Sequence, residues 1–163
     1  MIQFVIADPS HTETVAAMLE GLFQDVEHDL KADEIAERFE EIDSDDRHST
    51  VLAYNEENDE YVGLITVTES LALYAGGRIG VINELYVEPD YRSEGVGKML
   101  LDAVKDLARE RGWVRLELTT PGDEFEKTLR FYQREGFMRI GPRFKFHVGA
   151  DDDTSFSRCG ARP

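Results

Sequence analysis

The chain is 163 residues long, enough for one domain and too short for two full-sized ones. Asp and Glu total 34 against 18 Lys and Arg, a net charge of −16, which argues against nucleic acid or an anionic membrane surface as a partner. Hydrophobic residues make up 41%, which excludes a wholly disordered chain.

Ile2 to Ala7 is a short apolar run closed by Asp8-Pro9 and predicts a first strand. No basic segment precedes it, so no secretory signal is read there. Ser10 and Glu13 have capping-box spacing, and Val15, Met18, Leu19, Leu22 and Phe23 then recur at helical intervals. Lys31 to Ile42 is a second helical pattern, with Ile35 and Phe39 on one face and acids on the other. Thr50 to Tyr54 and Tyr61 to Thr68 predict paired strands, and Gly63 marks a bulge or a close backbone approach. A glycine turn, YAGGRIG, leads to a strand over Val81 to Val87 that Pro89 ends.

Lys98 to Arg111 is the most regular helix, with Leu100, Leu101, Val104, Leu107 and Ala108 in one stripe and Gly112 as its stop. Trp113 to Thr119 alternates as a strand does. Pro121-Gly122 is a turn, and Asp123 to Arg134 predicts a helix that Gly136 stops. Met138 to Ile140 and Phe144 to Val148 predict two short closing strands around Gly141-Pro142. Residues 149–163 have no periodicity and read as a flexible tail. The order predicts a mixed α/β (α+β) fold, a mostly antiparallel central sheet flanked by about four helices, as one domain over residues 1–148.

The single cysteine, Cys159, has no partner for an intrachain disulfide. No stretch approaches the roughly 20 apolar residues of a membrane span. A cytoplasmic protein is the expectation. The acidity reads mainly as solubility or salt adaptation, with attraction of cationic ligands as its functional counterpart.

The informative segment is VINELYVEPDYRSEGVGKMLLDAV. A strand ends, and Arg92-Ser93-Glu94-Gly95-Val96-Gly97 turns into the strong helix. Two glycines at this spacing let backbone N–H groups converge at a helix N-terminus, where an anion is favoured. Arg92 and Lys98 add positive charge for a phosphate. A P-loop would need Gly where Arg92 stands and Ser or Thr where Met99 stands. A dinucleotide fingerprint would need Gly at Leu100. Both nucleotide motifs fail.

Arg-x-x-Gly-x-Gly after a strand ending LYVEP resembles the acyl-CoA-binding motif of the GNAT-superfamily N-acetyltransferases. LRFYQREGF, residues 129–137, resembles that family's second signature. The resemblance spans residues 1–148. It implies that the amides of Ser93, Glu94, Gly95, Val96, Gly97 and Lys98, with Arg92, hold the pyrophosphate of coenzyme A. It implies that the main chain of Leu85, Tyr86 and Val87, on a strand splayed from its neighbour, receives the pantetheine arm. Tyr132 matches the tyrosine that protonates the leaving thiolate, a role open to a phenol as general acid.

An alkylamine is only about one part in a thousand neutral at pH 7, so transfer gains from a carboxylate near it. Glu84, two residues before Tyr86 and so on its face, is the candidate base or amine anchor, with Asn83 as a polar alternative. The ordinary reading of Glu84 is a solvated or salt-bridged side chain. The pattern departs from the family at Phe125, where many members carry an Asn that contacts the cofactor. His11, His28, His48 and His147 show no ligand spacing among themselves, and no metal is expected. His28 with Asp25 or Asp29 reads as a solvated helix end, and His147 as a residue bordering the acceptor.

The implied activity is direct transfer of an acetyl group from acetyl-CoA, as co-substrate, to a primary amine of a small molecule or peptide. Glu27, Asp29 and Glu34 are candidates to attract a cationic acceptor. A homodimer is compatible with the resemblance. The competing reading is a non-catalytic module that binds or senses acyl-CoA.

Overall fold

Five strands form one sheet in sequence order: β1 (Ile2–Ile6), β2 (His48–Asn55), β3 (Glu60–Ala72), β4 (Gly77–Val87) and β5 (Arg115–Leu118). Neighbours pair antiparallel except β4 and β5, which are parallel. The helices are α1 (Thr12–Asp25), α2 (Ala32–Asp43), α3 (Val96–Glu110) and α4 (Glu126–Arg134). The structure is a computed structural model and describes residues 1–26, 28–120, 122 and 124–148. The expected tail over residues 149–163, with Cys159, lies outside the described residues, as do Glu27, Pro121 and Asp123.

The period-2 alternation of the strands divides the core between the two faces. On one face Leu52, Leu64 and Tyr86 pack against Val15, Ala16, Met18 and Leu19 of α1 and Ile35 and Phe39 of α2. On the other, Val51, Ile65, Val67 and Ile82 pack against Val96, Leu100, Leu101 and Val104 of α3, with Phe131 and Tyr132 of α4 against that cluster. The stripe read from the sequence is therefore the buried face of α3. Complete burial of a Leu side chain such as Leu100 stabilises the fold by about 1.5–3 kcal/mol.

Several boundaries differ from the sequence reading, each for a local reason. A short 3-10 turn over Pro9–His11 precedes α1, and it is this turn that Asp8 caps, its Oδ1 accepting the Ser10 N–H at 2.8 Å. The glycine turn shrinks to Leu73–Gly76, and β4 starts at Gly77. There Glu69 of β3 holds Arg78 and the Trp113 indole N–H, which keeps the long hairpin paired to its end. Gly63 marks a close approach: the Tyr86 carbonyl oxygen would lie 2.8 Å from a Cβ at that position.

The register also breaks there, between Ala53↔Gly63 and Tyr54↔Tyr61, with Val62 as the extra residue, and again at Thr66/Val67. At the second break Thr66 faces Glu84 and Val67 faces Ile82, so Asn83 is the extra residue of a bulge in β4.

The two closing strands do not form. Residues 138–148 carry no regular structure, and Phe144, Phe146 and Val148 are 90%, 89% and 91% exposed. Their alternation suits a strand, but a strand also needs a ladder. β5 offers only four residues, and Gly141-Pro142 interrupts the segment with a φ of +138° and a residue lacking an N–H.

Candidate active site

The β4–β5 ladder ends at Ile82↔Leu118, while β4 continues to Val87. Residues 83–87 therefore have no β5 neighbour and leave an open edge. The Glu88 N–H donates to the Val62 carbonyl at 2.9 Å, which fixes the alternation beyond the bulge. Tyr86 directs its backbone groups to β3, and Leu85 and Val87 direct theirs to the open edge. Of the three residues expected to offer free main chain, Leu85 does so and Val87 offers its N–H, its carbonyl being held by Arg92. The Leu85 and Val87 side chains pack on the α3-side cluster.

Past Val87 the chain makes a 3-10 turn over Pro89–Tyr91 and enters the glycine turn. Ser93 takes a φ of +69° and Gly95 one of +87°. Left-handed residues among right-handed ones gather successive N–H groups into a concavity that suits an anion. The first intrahelical bond of α3 runs from the Met99 N–H to the Gly95 carbonyl at 3.0 Å. No described residue accepts the N–H groups of Ser93, Glu94, Gly95, Val96, Gly97 or Lys98. Val96 anchors the turn, its side chain buried in the core, while Glu94 points outward.

The two cations of the turn are engaged. The Arg92 Nε donates to the Val87 carbonyl at 2.9 Å, and its guanidinium pairs with Asp25 at the end of α1 at 2.7 Å. The same guanidinium stands 5.5 Å from the centroid of the Tyr86 ring. Arg92 thus clasps strand, turn and α1 together. Lys98 pairs with Asp102 one turn on and lies 3.9 Å from Glu135.

The Phe131 ring lies 3.4 Å from where a Gly97 Cβ would stand, and Val87 lies 3.7 Å from it. This brings α4 against the turn. Phe131 is thus a wall of the site. Tyr132 beside it packs edge-on to Phe137, their ring centroids 5.9 Å apart. Burial pushes the Tyr132 phenol up to about 12, so it keeps its proton through the neutral range. Phe125 precedes the first turn of α4 and supplies no side-chain cap.

Glu84 follows the bulge on the face of Tyr86, opposite the one that carries Tyr132. Burial raises its pKa above the ordinary 4.5, and a hydrogen bond from the Thr66 hydroxyl works the other way. Its backbone N–H donates to Thr66 Oγ1 at 3.0 Å. Glu84 is half-buried, and within the described residues no ion pair reaches it. Asn83 is exposed and donates to the Thr68 hydroxyl at 2.9 Å.

The remaining candidates have local duties. Asp29 pairs with Lys31, and Glu34 accepts the Lys31 N–H at the start of α2. Glu27 lies outside the described residues. His11 bonds Asp8 and Tyr61, His28 packs edge-on to Phe23, and His48 bonds Thr50. His147 falls in the irregular segment after α4. Among the described residues no group of three or more His, Cys, Asp or Glu is placed to hold a metal, and no helix is long and apolar enough to cross a membrane.

Comparison with known proteins gives a family match over most of the chain. A sequence model described as the acetyltransferase (GNAT) family matches residues 13–137. An uncharacterized N-acetyltransferase, YhfO, of Bacillus subtilis is 32% identical over 92 residues, 56% of this chain and 61% of that protein. The aminoalkylphosphonate N-acetyltransferase of Salmonella typhimurium is 36% identical over 87 residues, 53% of this chain and 56% of that one. The chain thus spans about three fifths of the length of these two relatives. An aminoglycoside N-acetyltransferase, AAC(6')-Iy, solved in complex with CoA, superposes with a TM-score of 0.78 at 17% identity over 92% of this chain and 96% of that one. At that identity the likeness concerns the fold.

Proposed function

We propose an activity from one premise: the chain belongs to the acetyltransferase (GNAT) family. It transfers an acetyl group from acetyl-CoA to a primary amine by direct attack. The observation that carries this reading is the row of six amides, Ser93 to Lys98, without an acceptor among the described residues, at the N-terminus of a 15-residue helix beside the open edge of β4. That arrangement fits a pyrophosphate followed by an extended, amide-bearing arm.

The backbone of Leu85 and the N–H of Val87 pair with the amides of the arm as a strand would. Arg92 exchanges part of its bond to Asp25 for phosphate. Glu84 takes the proton of the acceptor amine, whose nitrogen then attacks the thioester carbonyl carbon. The C–N bond forms, the C–S bond breaks, Tyr132 delivers its phenolic proton to the departing sulfur, and the surplus proton left on the attacking nitrogen passes to solvent. Glu84 returns its proton to solvent, and Tyr132 regains one from solvent.

The acceptor is a small-molecule amine or a peptide N-terminus, and the acidity of the chain favours a cationic one. The test is release of free CoA thiol from acetyl-CoA against a panel of polyamines, aminoglycosides, aminoalkylphosphonates and peptide amines. One class is expected to drive release, and Tyr132→Phe is expected to lower kcat by about 10²-fold with KM for acetyl-CoA unchanged. Tight acetyl-CoA binding without release to any amine would replace this reading with that of a binding module.

A further inference from the structure

The bulge at Asn83 sets Glu84 opposite Thr66, the last pair before the register shifts, and the Thr66 side chain accepts the Glu84 N–H there. A backbone amide can only donate, so the Glu84 N–H occupies a lone pair of Thr66 Oγ1. The proton of that hydroxyl is then free to point at Glu84 Oε2, and it does. The result is a closed ring of two hydrogen bonds between one residue's hydroxyl and the other's amide and carboxylate. Thr66 is only 2% exposed, so water does not compete for the hydroxyl. Its β-branched side chain holds χ1 stiffly on a strand.

We propose that Thr66 is the positioning residue for the Glu84 base: its hydroxyl fixes the carboxylate at the open edge of β4 and favours the ionised, proton-accepting form. This rests on the reading of Glu84 as the base. Burial alone would keep Glu84 protonated over more of the working range, and a hydroxyl that donates to the charged form opposes that. Other ionisable groups lie around β4: His48 on β2, Glu69 on β3, Arg78 on β4 itself, Glu88 just past its end, Asp25 on α1, Glu117 on β5 and Tyr132 on α4. None of them contributes to the shift at Glu84, which comes from burial and Thr66. α3 covers the opposite face of the sheet. Thr66 is therefore the one hydrogen-bond partner behind this shift, and its removal moves the titration without moving a charge.

The experiment is the pH profile of kcat/KM for the best amine of the panel, in wild type, Thr66→Val, Thr66→Ser and Glu84→Gln. Wild type is expected to show an acid limb that Glu84→Gln lacks. Thr66→Val is expected to move that limb up by about one pH unit, a tenfold loss at a fixed pH on the limb, and Thr66→Ser to restore it. The KM for acetyl-CoA stays constant throughout. If Thr66→Val does not fold, Thr66→Cys, similar in size and a weak donor, carries the same upward shift. Carbon-13 titration of the Glu84 carboxyl reads the shift without turnover. A limb that stays in place in Thr66→Val, whatever happens to kcat or Tm, overturns the inference and leaves Thr66 as an acceptor for the Glu84 N–H alone. A limb that survives in Glu84→Gln overturns the base reading, and the inference with it.

Discussion

Replacing Gly95 with Ala separates the shape of the glycine turn from its packing. Gly95 caps α3 with φ +87° and ψ +1°, and nothing lies within 4 Å of the position a Cβ would take. The substitution therefore meets no neighbour, and its whole cost is conformational. A left-handed L-residue costs about 1–2 kcal/mol. Two responses are open to the chain. It keeps the turn and loses that stability, which at about 2–4 °C per kcal/mol lowers Tm by roughly 2–8 °C with CoA affinity intact. Or it relaxes the turn, keeps Tm, and repays the strain on binding, which weakens CoA by about 5–30-fold. The two losses together amount to the same 1–2 kcal/mol, however they divide. Thermal unfolding and calorimetric titration with CoA on one preparation measure both. Gly95→Asn, which tolerates the left-handed region better, is expected to lose less in total. If Gly95→Ala matches wild type in Tm and in affinity, the left-handed turn is not what holds the ligand.

Two further predictions concern charges. The folded-state pKa of Glu84 is raised above 4.5 by burial, so its contribution to stability is present below that pH and is lost as pH rises through the folded value. Glu84→Gln is thus expected to raise Tm at pH 7 and leave it nearly unchanged at pH 4, and a fall at pH 7 contradicts the assignment. Asp25→Asn releases one of the two partners of Arg92 and is expected to tighten CoA binding about threefold at low salt, with the gain fading at high salt. Unchanged affinity at both salt levels would show that Arg92 does not reach the phosphate.

Much of this was legible in the chain because it is local. The stripe on α3, the alternation of the central strands and the turn before α3 depend on residues close in sequence, and the structure keeps them. The start of α3 at Val96, two residues early, follows from Gly95 adopting a left-handed cap that a helical pattern does not announce. What escaped is what two distant segments make together. Thr66 and Glu84 are 18 positions apart, and only the bulge at Asn83 pairs them. Arg92 and Asp25 are 67 positions apart, so the sequence offered Arg92 as a free cation when Asp25 holds it. The missing closing strands teach the converse: 144–148 has the right alternation, but pairing belongs to the neighbour as much as to the segment, and β5 is too short to supply it.

The claim on which the rest depends is that the amides of Ser93 to Lys98, after β4, hold the pyrophosphate. Backbone amide NMR during titration with CoA tests it most directly, with pantetheine, which lacks the diphosphate, as the control. The account predicts large downfield shifts at Gly95, Val96 and Gly97 with CoA and none there with pantetheine, while Leu85 and Val87 respond to both. CoA binding that leaves the amides of Ser93 to Lys98 unmoved would contradict it.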